Sequence, residues 1–148
     1  MAEDRVSIRL AHRQDYQFDV GFASGAPALL VDEPPPLGTA AGPSPVELLL
    51  AAVGNCLGAS LLFALRKFKL SLQPASLEAT ASLGRVEGRL RVVAIAVTIR
   101  LDQAVTEPPQ HLDRVLDQFE GFCTVTQSVA AGIKVEVSVL DADGRRLK

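Results

Sequence analysis

Apolar and polar residues alternate along the first part of the chain. Single polar residues separate the apolar positions of two runs: Val6, Ile8 and Leu10, then Tyr16, Phe18, Val20 and Phe22. Alternation with a period of two predicts β-strands, and the short polar break at 13–15 between the runs predicts an antiparallel hairpin. A third short strand is expected at 28–31, before a loop rich in Pro and Gly.

An uncharged run of 18 residues occupies positions 48–65. Ser44 followed by Glu47 three residues later is a capping-box pattern, which predicts that a helix begins here. A helix that is apolar on every side belongs in the centre of a protein or in a membrane. Asn55 and Ser60 interrupt the apolar run, and the amphipathic strands elsewhere need a core. The pattern therefore favours a buried central helix.

The second half of the chain returns to strand patterns and then to short helices. Alternation at 77–83 and a β-branched apolar run at 90–101 predict two strands, and 133–139 predicts a last one. A Pro-Pro pair at 108–109 precedes apolar residues at helical spacing, which predicts a second helix, and a short third helix is expected at about 123–131.

The resulting element order, β-β-β-α-β-β-α-α-β, is typical of the α+β class. The hairpins predict antiparallel sheets around the long buried central helix. Because no long linker interrupts the pattern, we expect a single domain over residues 1–148. No Gly-rich phosphate loop follows any strand, so a nucleotide site has no support.

Composition narrows the function classes. Hydrophobic residues make up 48% and charged residues 22% of the chain, values that exclude a disordered protein. The net charge of −2 gives no electrostatic footprint for nucleic acid. The polar N-terminus does not resemble a signal peptide, so a cytoplasmic location is expected. Two cysteines cannot build a disulfide scaffold or a four-cysteine metal site, and neither metal nor cofactor is expected.

The two cysteines are either packing residues or reactive residues of a functional site. Cys56 lies within the predicted central helix, where a free cysteine is often only a small buried hydrophobe. Gly54 and Gly58 thin the helix around it and would admit either a substrate or another helix. Cys123 lies at a predicted helix start, where free backbone N–H groups lower a thiol pKa. Local electrostatics therefore favours Cys123 as the more reactive thiol, and a dithiol couple is one reading of the pair.

Two segments resemble the signatures of the OsmC/Ohr family. The first is GPSPVELLLAAVGNC at 42–56, which ends at Cys56, and the second is FCTVTQSV at 122–129, which contains Cys123. The resemblance covers essentially the whole chain and is closest to the broad OsmC-like branch. It implies an intertwined homodimer with two active sites at the interface. Many members reduce organic hydroperoxides with two cysteines, and a dithiol, lipoyl groups in the best-known branch, re-reduces the disulfide.

The resemblance also implies roles for individual residues. Cys56 would attack the peroxide and Cys123 would close the disulfide, which reverses the local ranking of the two thiols. Arg13 would hold the thiolate and polarise the peroxide, although it also suits a solvated hairpin charge. Glu47 would orient Arg13, although it also suits the helix cap. Thr124 departs from the family pattern, which usually has proline here, and Glu47 is one position away from the expected spacing.

The function expected from the resemblance is that of a thiol-dependent, peroxiredoxin-like peroxidase in the response to oxidative stress. Apolar residues near the two motifs would favour alkyl or lipid-like peroxides: Leu49, Leu50, Val53, Phe119 and Phe122. The alternative is a non-catalytic member of the same fold that binds a small apolar ligand and has structural thiols. Neither nucleic acid nor a membrane is expected as a partner.

Overall fold

The computed structural model describes residues 3–148. Within them the chain forms two compact units, of which the first ends at Leu48 and the second is Leu49–Lys148. Helix α1, Pro45–Lys67, begins in the first unit and continues into the second. The single domain expected over residues 1–148 stays a prediction.

The first unit is a three-stranded antiparallel sheet. Its strands are β1 (Ile8–Gln14), β2 (Gln17–Phe22) and β3 (Leu29–Val31), in the order β1-β2-β3. The predicted hairpin is thus confirmed, with a tighter turn than the polar break suggested, because Arg13 still belongs to β1 and Asp15 has a positive φ of 48°. Every residue of β1 is exposed.

Helix α1 begins at the predicted capping box. The backbone N–H of Glu47 donates a hydrogen bond to Ser44 Oγ at 3.2 Å, and the Ser44 hydroxyl donates to Glu47 Oε1 at 3.2 Å. The first of these bonds satisfies one N–H group that a helix start leaves without a helical partner. The helix ends at Lys67, where Arg66 and Lys67 suit the negative end of its dipole.

Helix α1 is buried along one side and exposed along the other. The buried residues are Val53, Gly54, Leu57, Gly58, Ser60, Leu61, Ala64 and Leu65. Uncharged residues on the opposite side are exposed: Ala51, Ala52, Asn55, Ala59 and Phe63. The helix is also long and apolar enough to cross a membrane by length and composition, a property that the core helices of soluble proteins share. The uncharged run therefore forms a helix with one buried and one exposed side, a difference that the sequence pattern does not show.

The second unit holds a three-stranded sheet of mixed direction. Its strands are β4 (Pro74–Val86), β5 (Arg89–Leu101) and β6 (Lys134–Leu140), in the order β4-β5-β6. Strands β4 and β5 form the predicted antiparallel hairpin, but β5 and β6 are parallel. The expectation of purely antiparallel sheets is wrong here, because the segment between β5 and β6 is long enough for the crossover that parallel pairing requires.

The crossover contains two short helices and a turn. Helix α2 is Leu112–Gln118, a 3-10 turn follows at Phe119–Phe122, and helix α3 is Thr124–Ala130. The second helix begins later than the Pro-Pro pair suggested, because His111 adopts a left-handed φ of 73° at its N-cap position. Cys123 is the N-cap residue of α3, with an extended φ of −81° and ψ of 98°.

The core of the second unit lies between α1 and its sheet. Gly58 faces β4 closely: a Cβ atom added there would lie 3.3 Å from Cδ1 of Leu77. A Cβ atom added at Gly54 would lie 3.9 Å from the Cβ of Ala79. We expected these glycines to admit a substrate or another helix, whereas in the structure they lie against strand β4. The structure gives no indication that they open a path for a substrate.

Two buried aspartates order loops, one in each unit. Asp32 accepts hydrogen bonds from the backbone N–H of Ala41 at 3.0 Å and from Thr39 at 3.1 Å, ahead of α1. Asp141, after β6, accepts one from the N–H of Val105 at 2.8 Å. The Ala41 and Val105 bonds are the leading reason that the pKa of each carboxyl lies below the ordinary value of 3.8, although burial opposes them.

Candidate active site

Helix α1 and the start of α3 bring the two thiols into contact. Cys56 is half-buried in α1, and Cys123 is fully buried at the N-cap of α3. The Cys123 side chain is a hydrogen-bonding neighbour that lowers the pKa of the Cys56 thiol, and both thiols are free in the structure. The pairing of two residues 67 positions apart in the sequence is therefore a product of the fold.

The Cys56 sulfur is surrounded by hydrogen-bond donors. Burial by itself would raise the pKa of the Cys56 thiol. Four donors act in the opposite direction: the Cys123 side chain, the backbone N–H groups of Val125 and Thr124, and the Ser60 side chain. Together they outweigh burial and hold the pKa below the ordinary cysteine value. The arrangement therefore favours a thiolate at Cys56.

The Cys123 sulfur is in the reverse situation. Burial raises the pKa of the Cys123 thiol, and so does its hydrogen bond with Cys56, while Thr126 lowers the pKa by less. The local expectation that Cys123 is the more acidic thiol is therefore wrong. The N–H groups of Thr124 and Val125, at the start of α3, lower the pKa of Cys56 and not that of Cys123, because Cys123 itself occupies the N-cap of that helix.

Thr126 is a site residue that sequence reasoning missed. Its Oγ1 atom lies 2.9 Å from the Sγ atom of Cys123, and the two residues are 4% and 0% exposed. They occupy the N-cap and the third helical position of α3, a spacing at which a side chain at the helix start meets the first turn. That spacing was the available signal, as was the one-turn spacing of Cys56 and Ser60 on α1.

The apolar residues expected around the thiols divide into core and surface. Val53 and Phe119 are 0% exposed and belong to the core, so they do not line an open site. Phe122 is exposed and packs edge-on against Phe63, with ring centroids 5.9 Å apart. The ammonium group of Lys67 lies 5.6 Å from the centre of the Phe122 ring. The accessible apolar surface next to Cys123 is therefore this aromatic pair.

The residues proposed to assist Cys56 make other contacts in the first unit. Arg13 forms an ion pair with Asp19, Nη1 to Oδ1, at 3.8 Å, and both side chains are about half exposed. Glu47 bonds to Ser44 in the helix cap. Within residues 3–48 no ion pair joins Arg13 to Glu47. Their expected roles beside the thiol stay predictions.

A metal site receives no support from the side chains. Among residues 3–148, no group of three or more His, Cys, Asp or Glu side chains could hold a metal ion. The chemistry available at the described site is thus that of two contacting thiols with hydrogen-bond donors and an aromatic surface beside them.

Comparisons with known proteins identify the family and the fold of the chain. The sequence profile of the OsmC-like protein family matches residues 38–138. No curated protein matches the chain. Among solved structures, an OsmC-like protein of unknown function from Vibrio cholerae is 18% identical, with a TM-score of 0.76 over 93% of this chain and 100% of that chain.

Two further solved structures are named for hydroperoxide resistance. The organic hydroperoxide resistance protein of Elizabethkingia anophelis is 16% identical, with a TM-score of 0.72 over 93% of this chain and 98% of that chain. The organic hydroperoxide resistance protein OhrB of Bacillus subtilis is 14% identical, with a TM-score of 0.66 over 90% and 97% of the two chains. These likenesses show a shared α+β fold with two sheets and a central helix, and with the matching profile they place this chain in the OsmC-like protein family.

Proposed function

We propose that this protein reduces organic hydroperoxides with Cys56 and Cys123. The observation that carries the proposal is the contact between the two thiols, together with the opposite directions of their pKa values. A thiolate is the attacking species in thiol chemistry, and a neighbouring thiol can condense with its oxidised product. Membership of the OsmC-like family, with hydroperoxide resistance proteins among the similar structures, supports the same reaction.

The reaction takes place in two steps. The Cys56 thiolate attacks the distal oxygen of the hydroperoxide, the O–O bond breaks, and the alkoxide takes a proton and leaves as an alcohol. Cys56 is then a sulfenic acid. The Cys123 sulfur attacks the Cys56 sulfur, an S–S bond forms, and the hydroxyl of the sulfenic acid leaves with the thiol proton as water. An external dithiol, such as the lipoyl groups that the family resemblance implies, restores both thiols by exchange.

The proposal assigns supporting roles to two residues of the first unit. Arg13 would stabilise the Cys56 thiolate and polarise the hydroperoxide, and Glu47 would orient Arg13. These roles are carried over from the family resemblance. In the described geometry Arg13 is paired with Asp19 and Glu47 caps α1, so both would have to exchange their present partners.

The substrate proposed is an alkyl or lipid-like hydroperoxide. The exposed rings of Phe63 and Phe122 adjoin the chain segment that carries Cys123. Binding of a hydroperoxide is favoured when its apolar substituent covers these rings. Hydrogen peroxide carries no such group and would gain nothing from this surface. We place the reaction in the cytoplasm, where dithiol reductants keep thiols reduced.

We also propose that the working form is a homodimer, as the family resemblance implies. Two observations on the single chain support it. The outer side of α1 presents uncharged residues such as Ala59 and Phe63, and every residue of β1 is exposed, including Ile8 and Leu10. Apolar surface of this kind is stabilised when a second copy covers it.

Thiol counting tests the proposed function directly. We expect the reduced protein, treated with one equivalent of cumene hydroperoxide, to lose both free thiols and two hydrogen atoms of mass as the disulfide forms. Cys56→Ser should abolish turnover, because no thiolate remains to attack. Cys123→Ser should leave a single round of sulfenic acid formation, which a dimedone adduct detects by mass spectrometry.

The same experiment distinguishes the peroxidase from the alternative, non-catalytic function. If both thiols persist and no adduct appears, the peroxidase proposal is wrong, and a non-catalytic protein that binds an apolar ligand becomes the better account. Retention of reactivity in the Cys56→Ser variant would instead show that the order of the two thiols is reversed.

A further inference from the structure

We propose that the Thr126 hydroxyl is a positioning group for Cys123, which it holds ready to attack once the Cys56 sulfur has become electrophilic. The inference rests on the proposed pairing of the two thiols and adds the residue that controls the second step. Thr126 touches neither the Cys56 sulfur nor a substrate in the described contacts, so its effect acts through Cys123.

Distance and burial support this assignment. The Oγ1 atom of Thr126 lies 2.9 Å from Cys123 Sγ, and at 0% exposure Cys123 has no access to water that could replace the hydroxyl. The backbone around the pair is tied by a hydrogen bond of 2.9 Å from the N–H of Gln127 to the carbonyl of Cys123. The Gln127 side chain donates a further bond of 3.1 Å to the carbonyl of Glu120. Beside Cys56, the hydroxyl is thus a polar side-chain partner of a sulfur whose backbone is held in place.

A hydroxyl can serve both states of Cys123. It accepts a hydrogen bond from a thiol and, after rotating, donates one to a thiolate. In the reduced pair, burial and the neighbouring Cys56 keep Cys123 protonated. Oxidation of Cys56 removes its negative charge, and with it the repulsion that opposed a second thiolate. Burial, the largest cause of the raised pKa of Cys123, remains, and the hydroxyl and backbone N–H of Thr126 are the groups that favour the thiolate against it.

The order of events follows from this change. Cys123 stays protonated while Cys56 is the nucleophile, and its proton passes to the departing hydroxyl of the sulfenic acid when Cys56 becomes the electrophile. Replacing Thr126 by valine keeps the shape of the side chain and removes the hydroxyl. The first step should therefore be unaffected, while the second loses the group that stabilises its attacking sulfur.

A disulfide probe isolates the two steps without any hydroperoxide. With 5,5′-dithiobis(2-nitrobenzoate), the Cys56 thiolate forms a mixed disulfide and expels one thionitrobenzoate anion. Cys123 then attacks the Cys56 sulfur of that mixed disulfide, releases its proton to the buffer and expels a second anion. The Cys123→Ser variant should release one anion only, which assigns the two phases.

We expect Thr126→Val to slow the second release by about tenfold or more, the scale of one hydrogen bond to a charged group, with the first release unchanged. Thr126→Ser should restore the second phase, because it returns the hydroxyl. Thr80→Val makes the same replacement at an exposed position of β4 and should change neither phase. Circular dichroism of each variant verifies that it is folded.

The proposal is overturned if Thr126→Val leaves the second phase unchanged or slows both phases equally, or if Thr126→Ser fails to restore the rate. Release of the first anion by Cys123 in a Cys56→Ser variant, as fast as in the unaltered protein, also overturns it. Failure to react with cumene hydroperoxide would count against the proposed function alone, since the disulfide probe reports on Thr126 independently.

Discussion

Two thiols of the same intrinsic chemistry differ here because each sulfur has different neighbours. N–H groups at the start of α3 lower the pKa of Cys56, a residue of another helix, while Cys123 is buried with a hydroxyl and the other thiol. Thr124 contributes one of those N–H groups. The family pattern usually has proline at this position, and proline has no N–H to donate. This chain therefore has a donor to Cys56 that the usual pattern lacks.

Replacing Thr124 by proline should raise the pKa of Cys56. Proline suits the first position of a helix, and the extended backbone of Cys123, with φ −81° and ψ 98°, suits the residue before a proline. The change therefore removes one donor with little disturbance of the backbone. The midpoint of thiolate formation should move to higher pH, and alkylation of Cys56 by iodoacetamide near neutral pH should slow severalfold.

Rates of alkylation measured against pH, with the modified residue identified by mass spectrometry, report the change. Thr124→Ala keeps the N–H group and is the matched control, which should titrate as the unaltered protein does. An unchanged profile in the proline variant would show that this N–H does not stabilise the thiolate.

At the scale of elements, small residues determine how α1 meets its sheet. Gly58 lies against Leu77 of β4, and an added Cβ would make a tight contact at 3.3 Å, so the Leu77 side chain must shift to admit a longer one. Protein interiors are close-packed, so extra volume at such a position displaces neighbours. Cys56 lies on the same helix, so the packing of α1 against the sheet also positions the thiol.

Gly58→Val should destabilise the protein by about 1–3 kcal/mol, the usual cost of overpacking a core. Urea denaturation followed by circular dichroism measures the free energy of unfolding. Gly132→Val makes the same replacement where an added Cβ meets nothing within 4 Å, and it should have a much smaller effect. Equal losses in the two variants would contradict the role given to the close contact of α1 with β4.

The order and type of the helices and strands were largely predictable from the sequence. The direction in which neighbouring strands pair was not. Alternation located β4 and β5, and Ser44 with Glu47 located the start of α1. The direction of β6 beside β5 could not be read in this way. A strand has the same alternation whether it pairs parallel or antiparallel, so the course of the crossover decided the direction.

At the scale of the whole molecule, the single chain leaves much apolar surface uncovered. Large apolar side chains that are more than half exposed are Val6, Ile8, Leu10, Leu37, Phe63, Leu83 and Leu90. Such residues scattered singly are ordinary, but in β1 they follow one another on a short exposed strand. A second copy of the chain is the partner that the family resemblance implies.

We expect light scattering coupled to gel filtration, without detergent, to give twice the chain mass of 15.7 kDa. A double change of Ile8→Lys and Leu10→Lys should shift the protein towards the monomer, because buried ammonium groups are costly at an apolar interface. Arg9→Gln, at a polar position of the same strand, is the control and should leave the mass unchanged. A monomeric unaltered protein would contradict the proposed dimer.

The sequence by itself determined the element types, the capping box and the positions of two cysteines in two recognisable motifs, because each depends on neighbours along the chain. Only the tertiary structure decided which thiol is the more acidic. The donors to Cys56 come from Thr124 and Val125, and the hydroxyl beside Cys123 comes from Thr126. Acidity of a thiol depends on charges and hydrogen bonds within a few ångströms, and those contacts exist only once α1 and α3 have come together.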